Sequence, residues 1–114
     1  MTRDEFLEMD RVLDDPLIHI INKDHDTGYY EFTIGELETP LFLKSGRYLT
    51  SEHTFWEQSH AIHTPTQAGP YWTSNPSSGS PALALSRAID GLLSYYKEAE
   101  SQGHRPSEDW LVEG

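Results

Sequence analysis

The 114-residue chain contains no cysteine. That excludes a disulfide framework and any thiolate metal site, and nothing in the composition requires an oxidising compartment. Basic residues are scarce: eight Lys and Arg stand against nineteen Asp and Glu, a net charge of −11. A field of that sign repels nucleic acid and anionic membrane, which are held through clustered Lys and Arg, and attracts basic partners. Long apolar runs are also missing. The longest, Leu17 to Ile21, is five residues interrupted by His19, far short of a membrane span. The first residues, Met1 to Glu5, lack the basic and apolar regions of a secretory signal. These features point to a cytoplasmic protein with neither direct nucleic-acid binding nor membrane association.

The charge is unevenly spread. Residues 1–38 hold eleven acids and three bases, net −8; residues 39–97 hold three acids and four bases, net +1; residues 98–114 hold five acids and one base, net −4. What the chain does have is aromatic mass, with three Trp, six Tyr and four Phe. A chain of this length buries roughly two thirds of its unfolded surface, enough for one core. We therefore expect a single α+β domain over residues 1–114: a short helix within 1–15, antiparallel strands within 16–74, a long helix over 80–103 and a tail over 104–114. About four to five strands are expected, with the long helix packed on one face.

Thr2 and Glu5 form a capping box for the first helix. Phe6, Met9 and Leu13 give it one narrow apolar stripe, and Asp14-Asp15-Pro16 ends it, because the residue before proline is pushed out of the helical region. Strands are expected at Leu17 to Ile21, followed by a loop over 22–28, and at Tyr29 to Ile34, where Tyr30, Phe32 and Ile34 share one face. Leu41 to Leu43 and Tyr48-Leu49 are expected to flank a tight hairpin over Lys44 to Arg47, with Gly46 at positive φ. Thr54 to His63 reads as a strand, and Tyr71 to Thr73 as a short one.

The long helix is written most clearly. Leu85, Ala88, Ile89, Leu92, Tyr96 and Ala99 recur at i, i+3, i+4, i+7, i+11 and i+14, opposite Arg87, Asp90, Ser94, Lys97 and Glu98. Ser80 is placed as N-cap and Pro81 at the first helical position. Gly103 ends the helix and Pro106 prevents its resumption. Gly91, unfavourable inside a helix, implies a close approach, expected from the sheet.

Four constellations could carry function. The first is the junction before the long helix, where Tyr71 and Trp72 could stack a base and Asn75 could read an amide-like edge. Ser77, Ser78, Gly79 and Ser80 present unpaired N–H groups to a phosphate at the helix start, with Arg87 within two turns. No P-loop or dinucleotide fingerprint accompanies it, and a plain polar cap explains the same residues. The second is His53, Glu57 and His60, which would share a face on a helix with His63 a near neighbour and could then bind zinc. On a strand His60 and His63 point apart, so no metal and no cofactor is expected. The third is nucleophilic catalysis, for which serines and histidines exist but no nucleophile elbow positions them. The fourth is an acidic face of Asp24, Asp26, Glu31, Glu36 and Glu38. On a strand Glu36 and Glu38 would lie roughly 6.6 to 6.8 Å apart, in an array able to imitate a phosphate backbone and block a basic cleft.

The expected function is thus a non-enzymatic acidic binding protein acting by sequestration or blocking, analogous in size and charge alone to phage-encoded inhibitors of host proteins and adaptor-like accessory proteins. The alternatives are a binder of a phosphorylated small molecule or cyclic nucleotide at the Tyr71–Ser80 loop, and a small His-dependent metal protein. The expected partner is a basic protein or a phosphorylated small molecule. Trp110 in the charged tail must fold back on its own sheet or anchor a neighbouring subunit, and an open sheet edge leaves room for a homodimer.

Overall fold

The computed structural model describes residues 3–25, 27–47, 54–71, 77–78 and 81–113. The elements in chain order are helix α1 (Arg3–Leu13), strands β1 (Ile18–Asp24), β2 (Tyr29–Ile34), β3 (Leu41–Arg47), β4 (Thr54–Gln58), β5 (His60–Ile62) and β6 (Ser77–Ser78), helix α2 (Pro81–Ser101), a 3-10 turn (Glu108–Trp110) and strand β7 (Leu111–Glu113). The main sheet is antiparallel in the order β1-β2-β3-β4-β6, four strands and a two-residue fifth, and β5 pairs with β7 in a second, two-stranded sheet. The fold is α+β, as the sequence implies.

The stripe on α1 buries Met9 and Leu13, while Thr2 and the Glu5 side chain of the expected capping box lie outside the described residues. After the helix, Asp15 turns the chain into the sheet: its carboxylate accepts the Leu17 N–H at 2.9 Å and its carbonyl accepts the Ile18 N–H at 2.9 Å. Strand β1 runs three residues beyond its expected end. Two side-chain contacts accompany the extension, Asn22 donating to Glu31 at 3.0 Å and Lys23 to Asp10 at 2.9 Å, and a bulge at Ile21 shifts the register. The loop shrinks to a tight turn closed by the Gly28 N–H on the Asp24 carbonyl, with Gly28 at φ +69°.

Strand β2 has the expected bounds, with Tyr30, Phe32 and Ile34 fully buried and Tyr29, Glu31 and Thr33 half-buried on the other face. The hairpin expected at Lys44 to Arg47 is not there. Those residues continue β3, opposite Glu57, Trp56, Phe55 and Thr54, so Gly46 sits inside a paired strand and not in a turn. A complete ladder on β4 outweighs local turn chemistry, and Tyr48 and Leu49 fall outside the described residues. The stretch from Thr54 is extended but broken at Ser59. The Ser59 N–H donates to the Phe42 carbonyl and its Oγ accepts the Phe42 N–H at 2.8 Å, after which the chain changes sheet.

On α2 the expected apolar face is buried together with Leu93, and Arg87, Asp90, Ser94, Lys97 and Glu98 are exposed. A Schellman motif closes the helix: His104 N–H donates to the Ala99 carbonyl and Gly103 N–H to Glu100, each at 3.0 Å, with Gly103 at φ +87°. Gly91 faces Tyr71 rather than the sheet, and a Cβ there would lie 2.5 Å from Tyr71 Cε1. The tail folds back. Trp110 is buried edge-on to Tyr96, with ring centroids 5.6 Å apart, and β7 completes β5. The core cluster draws on both helices, β1 to β3, β5 and Trp110. Among the described residues no helix is long and apolar enough to cross a membrane.

Candidate functional site

The expected acidic face falls on β1, β2 and the β2–β3 turn, and further acids lie on α1. Of the acids described in residues 3–38, the side chains of Asp4, Glu8, Asp14, Asp24, Glu36 and Glu38 are exposed and those of Asp10, Asp15 and Glu31 are partly covered. Asp26 lies outside the described residues. Asp24 and Glu31 do come together, since Asn22 opposite Glu31 and Asp24 opposite Tyr29 place them as neighbours on the helix-free face of the sheet. Glu36 and Glu38 are not on a strand. They occupy the turn after β2, which begins five strand steps from the Asp24–Tyr29 level, or about 17 Å at the usual rise. Gly35 sets that turn at φ +53° and donates its N–H to the Leu17 carbonyl at 2.7 Å. The expected compact array is therefore two separate acidic groups.

The turn has backbone partners of its own. Glu36 N–H donates to the Tyr96 hydroxyl at 3.0 Å. The Glu108 carboxylate accepts the N–H groups of Glu38 and Thr39 and the Thr39 hydroxyl at 2.7 to 3.1 Å. Those bonds, the Thr39 hydroxyl's first, hold the Glu108 carboxyl below its ordinary value.

A second polar centre escaped the sequence reading. Asp10 Oδ1 accepts from Lys23 Nζ at 2.9 Å and lies 2.8 Å from His25 Nε2, while His25 Nδ1 lies 2.7 Å from the Tyr30 hydroxyl. Phe6 stacks on the imidazole, with centroids 5.0 Å apart and planes 14° apart. The bond from Lys23 and then that from His25 depress the Asp10 carboxyl. Burial pushes the Tyr30 phenol up, with the Asp10 and Asp24 charges adding to it. The order Asp–His–Tyr is that of an acid–base relay, but Tyr30 is 0% exposed and has no face to offer a substrate. What the chain of bonds does is fasten α1 to the β1–β2 turn. No sequence motif marks it, because its members are 5 and 15 residues apart and meet only through strand register.

At the long-helix junction the structure places Tyr71 and Arg87 only in part as expected. Tyr71 donates its N–H to Ile62 and packs its ring on Gly91 and on Tyr95, with centroids 5.1 Å apart, so the ring that would stack a base is occupied by α2. Arg87 is exposed. Ser77 and Ser78 form β6 against Phe55 and Thr54. Trp72, Asn75, Gly79 and Ser80 lie outside the described residues. A shallow depression of about 300 Å³ opens beside Tyr71 and Tyr95, bordered by Gln67, Pro70 and Glu98.

The histidines have separate partners. His60 Nδ1 lies 2.7 Å from Ser59 Oγ and His63 Nε2 3.3 Å from the Gln67 carbonyl, while Glu57 is opposite Lys44. His53 lies outside the described residues. Among the described residues no group of three or more His, Asp or Glu is arranged to hold a metal ion. Comparison with protein-family models, with curated proteins and with solved structures finds no match.

Proposed function

We propose that this protein is a non-enzymatic, acidic binding protein of the cytoplasm that acts by occupying a basic protein partner and blocking it. The observation that carries this reading is the exposed acid on α1, β1 and the β2–β3 turn, in the third of the chain whose net charge is −8. Such a field raises the encounter rate with a basic surface and loses its reach within a Debye length of about 8 Å at physiological salt. The Asp10–His25–Tyr30 centre is consistent with the same reading, because its phenol is fully buried.

Native mass spectrometry of protein purified from its own host tests it. The expected result is a stoichiometric complex with a basic protein that dissociates steeply as salt is raised. A chain that purifies alone, or with a bound nucleotide, counts against it.

The second reading, a phosphorylated ligand at the start of α2, is favoured by one observation: the first turn of α2 contains no acidic residue, leaving the positive end of the helix dipole uncompensated there. The occupied Tyr71 ring removes half of the stacking surface that this reading needs. A thermal-shift series with nucleotides and cyclic nucleotides at millimolar concentration decides it, since a ligand of the folded state must raise the melting temperature with concentration.

A further inference from the structure

Among the described residues the large apolar side chains left in solvent are few, and two of them line one groove. Leu7 is 49% exposed, Ile20 41% and Ile21 50%, the large hydrophobics so exposed among the described residues. Leu7 and Ile20 line one groove of about 420 Å³ between α1 and β1, bounded by Asp10, Arg11, Asp14 and Lys23. A second depression of about 240 Å³ shares Leu7 and Arg11 with it and adds Asp4 and Glu8. The two adjoin at Leu7 and Arg11, so the trough between α1 and β1 has exposed apolar residues along it and four acids against two bases around the pair of depressions. One of those bases, Lys23, is already paired with Asp10.

The trough lies at a sheet margin. Strand β1 is the first in the sheet order, with β2 on one side only. Ile20 is opposite the buried Phe32 and so projects to the helix-covered face, whereas Ile21 is the bulge residue next to it. An edge strand offers backbone N–H and C=O groups to an extended segment, and alternate side chains of that segment fall on either side of the sheet. The bulge interrupts the ladder, so it admits a short segment rather than a long flat edge.

From this we infer that the α1–β1 trough is the docking site for a short extended segment of a partner protein, one carrying an apolar residue between Lys or Arg residues. The apolar side chain covers Leu7 and Ile20 on the helix-covered face, and its basic neighbours, projecting to the other face, meet Asp24 and Glu31 there. Charge selects this occupant over a second copy of the chain, because β1 against β1 would bring together two regions of net charge −8. The inference rests on the reading of an acidic, protein-directed binder and assigns its contact surface.

The test uses the full chain and a fluorescein-labelled ten-residue peptide of alternating Lys and Leu, with an alternating Lys and Ser peptide as control, followed by anisotropy at 50 and 300 mM salt. The proposal expects Leu7→Ser and Ile20→Ser to weaken the Lys/Leu peptide about tenfold each, with Glu36→Gln and Glu38→Gln changing little. It also expects amide NMR shifts confined to residues 7–14 and 18–24. Both apolar sites are exposed, so the variants are expected to keep their melting temperature, and a lost fold is replaced by the milder Leu7→Ala and Ile20→Ala. Binding that falls with every acid removed but ignores Leu7 and Ile20, or that is equal for both peptides, overturns the trough while leaving an acidic binder standing. Failure of the Lys/Leu peptide to bind also overturns the trough, and the co-purification experiment above then judges the broader reading separately. Sedimentation showing a dimer abolished by Ile20→Ser makes a second copy the occupant and overturns the proposal.

Discussion

The two helices of this protein spend their apolar residues differently. Helix α2 lies over the sheet, and the apolar residues resolved from Leu85 to Ala99 are buried apart from the half-covered Tyr95. Helix α1 buries Met9 and Leu13 but leaves Leu7 in solvent beside the edge strand. A helix packed at once against strands and against the other helix is covered along its whole apolar stripe, while the helix beside the edge strand β1 leaves apolar surface in solvent. The first arrangement supplies stability and the second leaves surface for a partner.

The largest effects should come from cutting the fully buried contacts on either helix. Leu92→Ala or Ile89→Ala in α2, and Met9→Ala in α1, are each expected to cost about 2 to 5 kcal/mol by denaturant midpoint. If Met9→Ala costs no more than a surface change, α1 is not seated on the core and the contrast between the helices is misdrawn.

Next is Gly35→Ala. A Cβ at φ +53° would meet the Tyr96 hydroxyl, so left-handed strain of about 1 to 2 kcal/mol adds to a lost hydrogen bond of about 1 kcal/mol. Thermal unfolding should register a loss of about 2 to 3 kcal/mol. An unchanged melting temperature would mean that Tyr96 does not hold the turn.

Acid should loosen the two sides of the molecule together. Asp10, Asp15 and Glu108 all have depressed carboxyls in the folded chain, through Lys23, the Leu17 N–H and Thr39 respectively as first causes. Their folded values lie below the ordinary 3.8 for Asp and 4.5 for Glu, so their contribution is present above that range and is lost as pH falls through it. Glu108→Gln should flatten part of that decline in a urea titration across pH 5 to 2. The opposite limb belongs to Tyr30. Its raised phenol means that stability present below about pH 10 is lost as pH rises further.

The smallest effects sharpen the comparison. Leu7→Ala on α1 and Ser94→Ala on α2 should each change stability by less than about 0.5 kcal/mol. A Leu7 variant that loses peptide binding at unchanged stability separates the working surface from the supporting one.

Much of the architecture was legible in the residues because it is local. The face of α2, its Gly103 terminus and the alternation of Tyr29 to Ile34 each follow from a period or a single backbone requirement, and each stands as expected. The Lys44–Arg47 hairpin failed because turn residues can be absorbed into a ladder once a partner strand is present, which no local rule reports. Gly91 signals a close contact, yet the group opposite it is the ring of a tyrosine twenty residues earlier in the chain. The Asp10–His25–Tyr30 link and the Glu108 clasp were invisible for the same reason, since they join residues that only tertiary structure brings together. The candidate acidic residues were legible as charges but not as an arrangement, because a turn and not a strand carries Glu36 and Glu38.

The clasp also has a bearing on the order in which the molecule is made. The contacts that fasten α1 to the β1–β2 turn span 13 to 15 residues, whereas Glu108 reaches back 70 residues to Glu38 and β5, bridged earlier by Tyr71 at Ile62, gains its paired strand only with β7. During synthesis the acidic trough is therefore assembled from early, neighbouring pieces, while the second, two-stranded sheet waits for the final strand to emerge.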